Sequence, residues 1–425
     1  MNYSNPFVII YIAGLVVSLV VNHWLEYIDY RFRKQHGIEI PPELAGKIDT
    51  EQLKRICGYE NAKYFFWIPE NILITLLQAF LLLSGFYPWL FDVLWQHFPN
   101  VFLTALLFFV IGSVPETLLS LPFELYEEFH IEKKFGFSMM TLQLWIMDQI
   151  KGLVVNAVLL VPLLMVMLLL LEKTAGWWWL PVGTVFVLFS FVISVVYPRF
   201  IAPLFNKFTP VTDVVLKDRL SALMAKTGFK AEGVYVMDAS KRSRHSNAYF
   251  TGFGKSKRIV LYDTLVQQLS VDEIEAVLGH ELGHYKKHHI LKRMLVTIPL
   301  SYAVLFIISL FITHTTLYIG FGFHVDSVVF PHMQFIGLFL LSAVFGGYTE
   351  FSKVISNYFS RRDEFQADAY AAGLCGNGQS LSTALIKLNK ENLSELTPPK
   401  IYCIFNYNHP PLLERIRAVG YKPEA

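Results

Sequence analysis

LVVNAVLLVPLLMVMLLLL, from Leu153 to Leu171, contains no Asp, Glu, Lys or Arg. A helix rises about 1.5 Å per residue, so a run of this length approaches the ~30 Å hydrocarbon core of a bilayer, where every backbone N–H and C=O must be paired within its own segment. Further charge-free runs lie on both sides of it: Pro6 to Leu25, Asn71 to Phe91, Val93 to Pro115, Thr174 to Pro198, Met294 to Val325 and Ser327 to Thr349. The chain has 425 residues and is 54% hydrophobic and 16% charged, which is outside the soluble range, so the seven runs are read as seven transmembrane helices. The first is not a cleaved leader, because nothing basic precedes it and no small-residue cleavage site closes it.

Basic residues are distributed one-sidedly between these runs. All but one of the 36 Lys and Arg residues fall in alternate connections, the exception being Lys173. Positive loops stay in the cytoplasm, so the N-terminus is expected outside and the C-terminus in the cytoplasm, in a bacterial inner membrane or the endoplasmic reticulum membrane. A net charge of +2 and the lack of a recognised nucleic-acid motif leave membrane lipid, and not nucleic acid, as an expected partner. The run Lys241, Arg242, Arg244 reads as a solvated loop, and Glu124, Glu127, Glu128 and Glu132 followed by Lys133 and Lys134 read as a solvated amphipathic helix. Cys57, Cys375 and Cys403 are widely separated and read as free thiols.

Four segments follow. Residues 1–198 hold the first five helices with their loops, 199–293 form a soluble catalytic segment, 294–349 hold the last two helices, and 350–425 form a second catalytic segment. In the first polar segment, Gly233 to Met237, Ala248 to Phe250 and Arg258 to Tyr262 are short β-branched and aromatic runs that predict a small sheet. Ser270 and Glu273 then make a Ser-x-x-Glu capping box, and Ile274, Val277, Leu278 and Leu282 continue with helical spacing. The fold class is mainly α: transmembrane helices joined to a small α+β domain on the cytoplasmic side.

That capped helix contains His280-Glu281-Leu282-Gly283-His284. Positions four apart are only about 40° apart around a helix, so both imidazoles can reach one ion, while Glu281 reaches its bound water without ligating. Catalytic zinc takes three protein ligands and keeps one open position. In Ser360-Arg361-Arg362-Asp363-Glu364-Phe365-Gln366-Ala367-Asp368, spacing leaves Asp363, Glu364 and Asp368 all open as the third ligand. Such a centre activates water for attack on a peptide carbonyl, with Glu281 as general base and then as proton donor to the leaving amine.

Pro41-Pro42-Glu43-Leu44, Leu121-Pro122, Leu125-Tyr126, Ile131-Glu132, His245-Ser246-Asn247-Ala248-Tyr249-Phe250, the His-Glu-x-x-His helix, Ser360-Arg361 with Glu364 and Ala367-Asp368, and His409-Pro410-Pro411 through Arg415 lie along nearly the whole chain. In these residues the chain resembles the type I CAAX prenyl proteases, membrane zinc metalloproteases that process prenylated C-terminal CAAX tails. The resemblance implies one Zn²⁺ per chain on His280, His284 and Glu364, with Glu281 catalytic and Asp368 steadying a ligand. It also implies that Asn247 and His409 approach the substrate or the oxyanion, and that the stretch near Asn247 offers a strand edge to an extended peptide. The fold implied is a ring of seven helices around a water-filled chamber, which Glu116 would face. His288 and His289 match no role and read as surface or membrane-interface residues.

The substrate expected is a peptide or protein, C-terminally prenylated. One alternative is a membrane protease of the same chemistry that trims unlipidated membrane proteins. Another is a metal-stabilised transporter or binding protein, against which stands the lack of inverted-repeat symmetry. The sequence sets no oligomeric state.

Overall fold

The computed structural model describes residues 1–252 and 257–423. The apolar runs of the first half lie in α1 (Pro6–His36), α2 (Thr50–Leu83), α3 (Phe86–His97), α4 (Val101–Tyr126), α5 (Leu142–Lys173) and α6 (Trp179–Val196). The polar segment holds α7 (Ala202–Phe205), α8 (Val214–Thr227), α9 (Asp263–Gln268) and α10 (Val271–Lys286). It is followed by α11 (His289–Phe311), α12 (Thr315–Gly320), α13 (Gln334–Gly346), α14 (Thr349–Leu374), α15 (Gln379–Glu391), α16 (Lys400–Asn406) and α17 (Leu412–Ala418).

Among the described residues six helical segments are long and apolar enough to cross a membrane, and a seventh if α13 and α14, bent by 71°, count as one. The first six expected spans are present with shifted ends, and the seventh only as that bent pair, because backbone signals overrule hydropathy there. Gly85, left-handed at φ 88°, divides the second run, so that α2 starts far earlier at an Asp49 cap and α3 stands separately. Asn100 caps α4 and moves the third span's start to Val101, while the sixth stops at Phe311. The bend between α13 and α14 lies where the chain crosses α1. A Cβ on Gly347 would overlap the Gly14 carbonyl, and the Tyr348 hydroxyl donates to Ile10 O at 2.9 Å.

Large apolar side chains such as Leu153, Val158, Leu295 and Val296 are exposed along these helices, as a surface in contact with lipid requires. Inward, Phe108, Tyr318, Phe321 and Phe335 pack in a buried cluster. Beside it lies a polar cavity of about 470 Å³ between α1, α2, α4 and α13, with Asn22, Asn71, Gln78, Glu116 and Glu350 in its wall. Gln78 Nε2 donates to Glu116 Oε1 at 3.0 Å, so this carboxylate near a span end has a polar surrounding.

The soluble sheet has β1 (Phe208–Pro210), β2 (Gly233–Met237), β3 (Ala248–Thr251) and β4 (Arg258–Tyr262) in the order β1-β2-β4-β3. β2 and β4 run parallel with Gly233 opposite Arg258, and β3 pairs antiparallel with β4, Ala248 opposite Leu261. The three expected strands are present, and β1, three residues ending in Pro, is too short to give such a β-branched and aromatic run. Ile259 and Leu261 join Leu216 and Leu220 of α8 and Ile274 and Leu278 of α10 in one core.

Two segments expected to be solvated instead join this domain to the membrane helices. Arg242 forms a two-point ion pair with Asp148 of α5 (2.8 and 3.0 Å) and donates to Asn206 Oδ1 at 3.0 Å. The acidic run continues α4 as a wider helical turn, Glu127–Glu132, that buries Ile131. Glu132 accepts from Tyr59 OH at 2.6 Å and faces His245 Nε2 at 3.4 Å. Farther along, buried Arg33 of α1 bonds both Asp29 (2.5 Å) and Glu395 (3.0 Å), tying the first helix to the last segment. Breaking such a buried pair is costly because it leaves an uncompensated charge.

Replacing Gly347 by Ala is expected to push α1 off the bend and lower stability by roughly 1–3 kcal/mol, the usual cost of overpacking. Thermal unfolding in detergent checks this, and an unchanged midpoint would show that the crossing is slack.

Candidate metal centre and active site

The His-Glu-x-x-His segment is helical for the reason its sequence suggests. Ser270 Oγ accepts from Glu273 N at 3.3 Å, Glu273 Oε2 accepts from Ser270 N at 2.8 Å, and Lys387 Nζ donates to the same carboxylate at 2.8 Å. The capped helix then packs its small face on α14. A Cβ on Gly283 would stand 2.9 Å from both the Cα and the carbonyl oxygen of Ala367, which is fully buried. This approach sets Glu364, one turn before Ala367, against the two imidazoles.

His280 Nε2 and His284 Nε2 are 3.1 Å apart, and Glu364 presents Oε2 at 3.4 Å from the first and Oε1 at 3.2 Å from the second. These groups can hold a metal ion, with their ligand atoms all within 4.8 Å of one another. Glu364 Oε2 is buried without a hydrogen-bond partner among the described residues. Of the other two acids, Asp363 turns toward α11, 3.6 Å from His289 Nε2 and 3.9 Å from Arg293. Asp368 is fully buried and lies 2.8 Å from His280 Nδ1.

Arg415, quoted above only as the end of a motif, completes that contact. Its Nε donates to Asp368 Oδ2 at 2.8 Å and its Nη2 to Oδ1 at 2.7 Å. The planar guanidinium thus grips the carboxylate that orients His280, through a residue on α17 that no local spacing links to α10. Burial favours the neutral imidazole, but the Asp368 and Glu364 carboxylates outweigh it and push His280 up to about 9. A metal ion on Nε2 would displace that proton. Burial also holds the Glu281 carboxyl above its ordinary value, partly offset by the neighbouring His280 and His284.

His289 is a correction to the sequence reading. It is buried, not a surface residue, and its Nδ1 lies 3.0 Å from His284 Nδ1. His409 Nε2 is 3.4 Å from Glu364 Oε1, so the structure gathers His280, His284, Glu364, Asp368 and His409. Asn247 is exposed and opens the edge strand β3; its Oδ1 accepts from Ala248 N at 2.8 Å and its carbonyl from Tyr262 N at 3.0 Å. An apolar cavity of about 1280 Å³ between α6 and α11 includes His284, Tyr285, Phe250 and Thr251 in its wall.

Residues 29–207 match the family model described as CAAX prenyl protease N-terminal, five membrane helices, and residues 210–422 match that of peptidase family M48. The chain belongs to peptidase family M48. CAAX prenyl protease 1 of Saccharomyces cerevisiae is 34% identical over 94% of this chain and 92% of its own length. Its Arabidopsis thaliana homolog is 34% identical over 89% and 90%, and the Homo sapiens homolog 32% over 96% and 94%. The crystal structure of S. mikatae Ste24p superposes with a TM-score of 0.91 at 33% identity, covering 98% of this chain and 99% of that one. This M48 chain is therefore a multi-pass membrane metalloprotease, and the transporter alternative is set aside.

Adding a methyl at Gly283 is expected to part α10 from α14 and withdraw Glu364 from the imidazoles. Gly283→Ala should therefore weaken metal binding about 10-fold or more, as displacement of a ligand by 1–3 kcal/mol of overpacking implies. Metal titration of the purified protein decides this, and wild-type affinity would show that α14 yields to the extra atom.

Proposed function

We propose that this protein is a zinc endopeptidase that cleaves prenylated C-terminal CAAX tails just after the lipidated cysteine. The observation that carries the metal assignment is the closeness of the three ligand groups. Ligands of a tetrahedral zinc at about 2.0–2.1 Å stand roughly 3.3–3.4 Å apart; here the two Nε2 atoms are 3.1 Å apart and each faces one Glu364 oxygen, Oε1 at 3.2 Å from His284 and Oε2 at 3.4 Å from His280. The Nδ1 atom of each imidazole faces another partner, which leaves Nε2 for the ion, and the orphaned Glu364 oxygen fits an anionic ligand. His280, His284 and Glu364 would hold the zinc, which when bound supplies a Lewis acid and an acidified water.

The chain's own residues do the rest. Glu281 takes a proton from the attacking water and delivers it to the leaving amine, and its burial-raised pKa suits a group that must do both. Asp368, clamped by Arg415, holds His280 in the tautomer with its proton on Nδ1. His409, beside Glu364, donates to the developing oxyanion. The outer edge of β3, the last strand of the sheet among the described residues, pairs with the substrate backbone in extended form, with Asn247 at its start.

The CAAX specificity rests on the near full-length similarity to proteins named CAAX prenyl protease, and the apolar cavity that reaches His284 suits a prenyl chain. The one-sided Lys and Arg distribution supports a cytoplasmic site with the N-terminus outside, where such tails are found. The segments 1–198, 199–293, 294–349 and 350–425 then divide the labour: two membrane parts form the enclosure, and two polar parts supply the ligands.

Glu281→Gln is expected to keep one zinc per chain while losing cleavage, whereas Glu364→Ala should lose both. Metal analysis beside a peptidase assay separates them, and zinc loss in Glu281→Gln would overturn its role as a base.

A farnesylated peptide is expected to be cleaved with a KM at least about tenfold below that of its unmodified twin, with kcat little changed. Two buried CH₂ groups at ~0.8 kcal/mol each already suffice for that ratio, and binding shared by ground and transition states acts on KM. Equal kcat/KM for both peptides, or scattered cleavage, would favour the protease of unlipidated membrane proteins.

A further inference from the structure

The chain leaves α10 through a turn that regular helix geometry would not produce. His288 is left-handed, at φ 56° and ψ 35°, between Lys286 at the end of α10 and His289 at the start of α11. A non-glycine residue there is strained and persists only where its surroundings hold it. In a continuous helix residues five apart point about 140° away from each other. The left-handed residue instead folds His289 back beneath His284, where it is 2% exposed and sets Nδ1 at 3.0 Å from His284 Nδ1.

Two imidazole nitrogens at this distance need one proton between them, and the surroundings say where it is. On its far side His289 Nε2 faces Gln366 Oε1 at 3.3 Å and Asp363 Oδ1 at 3.6 Å. Gln366 presents its carbonyl oxygen to Nε2, and the Asp363 carboxylate, which offers no donor, favours N–H there electrostatically. A neutral His289 with its proton on Nε2 has a lone pair on Nδ1. His284 must then carry its own proton on Nδ1, which leaves its Nε2 lone pair facing His280 Nε2 and Glu364. The order from α14 inward is acceptor, His289, His284.

We propose that His289 is a positioning residue whose Nδ1 accepts a hydrogen bond from His284 Nδ1–H and so fixes His284 as an Nε2 metal ligand. The two ligating imidazoles are then held by different means. His280 is held by a carboxylate under a guanidinium, and His284 by a neutral imidazole backed by Gln366 and Asp363. The inference rests on the zinc centre proposed above, and metal affinity in place of turnover is its readout.

The test compares zinc affinity, by chelator competition on the full-length protein in detergent, for the wild type, His289→Asn, His289→Gln and His289→Phe, with thermal midpoints of the metal-free forms. The Asn carbonyl stands near the position of Nδ1 and can accept from His284, whereas the Gln amide reaches toward the position of Nε2 and cannot. His289→Phe and His289→Gln are expected to bind zinc about 10–100-fold more weakly, the usual effect of removing a ligand's hydrogen-bond partner, and His289→Asn to stay within about threefold of wild type. The d–d spectrum of the cobalt-substituted protein should change in Phe and Gln and be restored in Asn. If His289→Phe fails to fold, the order Asn above Gln still decides. Equal affinity of Asn and Gln, or Phe binding like wild type, overturns the role of His289. A wild-type chain that binds no zinc overturns the metal centre itself.

Discussion

The contact of Gly283 on α10 with Ala367 on α14 governs everything else at the site. Neither residue does chemistry, yet with less than a methyl group of room between them the two helices are as close as backbones allow. Closeness here is what converts separate sequence segments into one ligand set. The His pair alone is a property of α10, but Glu364 reaches it only because no side chain intervenes one turn away. Close packing also dries the site: Glu364 is 4% exposed and Asp368 0%, so the charges there are strong and each needs a partner.

Those partners come from distant parts of the chain, and the two imidazoles proposed to hold the zinc are held by unlike partners. Arg415 lies on α17 and holds the carboxylate of α14, which faces His280 of α10. The soluble part is likewise not an appendage of the membrane part. Arg242 on Asp148, Glu132 between Tyr59 and His245, and Arg33 on Glu395 each join a membrane helix to a polar segment. The joints that are buried confer register more than net stability, since desolvation offsets much of the attraction of a buried ion pair.

What could be read in advance was whatever one helix or one strand carries by itself. His280, Glu281 and His284 share a helix face, the capping box marks that helix's start, and short β-branched and aromatic runs reveal β2, β3 and β4. Charge-free length revealed the membrane class but not the ends of the spans, because Asp49, Gly85 and Asn100 set those by capping and backbone conformation, to which hydropathy is blind. Asp363, Glu364 and Asp368 could not be ranked by spacing, since the choice depends on how α14 is rotated against α10. His289 matches no motif role and so reads as a surface residue; the left-handed His288 that brings it back beneath His284 has no signal in local spacing. Arg242 and Glu132 looked solvated because their partners, Asp148, Asn206 and Tyr59, are dozens of residues away.

The order of α10, α14 and α17 along the chain has a bearing on how the protein is made. Asp368 follows His280 by 88 residues and Arg415 follows Asp368 by 47, so translation delivers the two imidazoles first, then the carboxylate, and the guanidinium after both. Until α17 has docked, the Asp368 carboxylate lacks the clamp that orients it toward His280. A nascent chain inserting into a crowded membrane thus carries an unfinished centre past its neighbours until that late helix is in place.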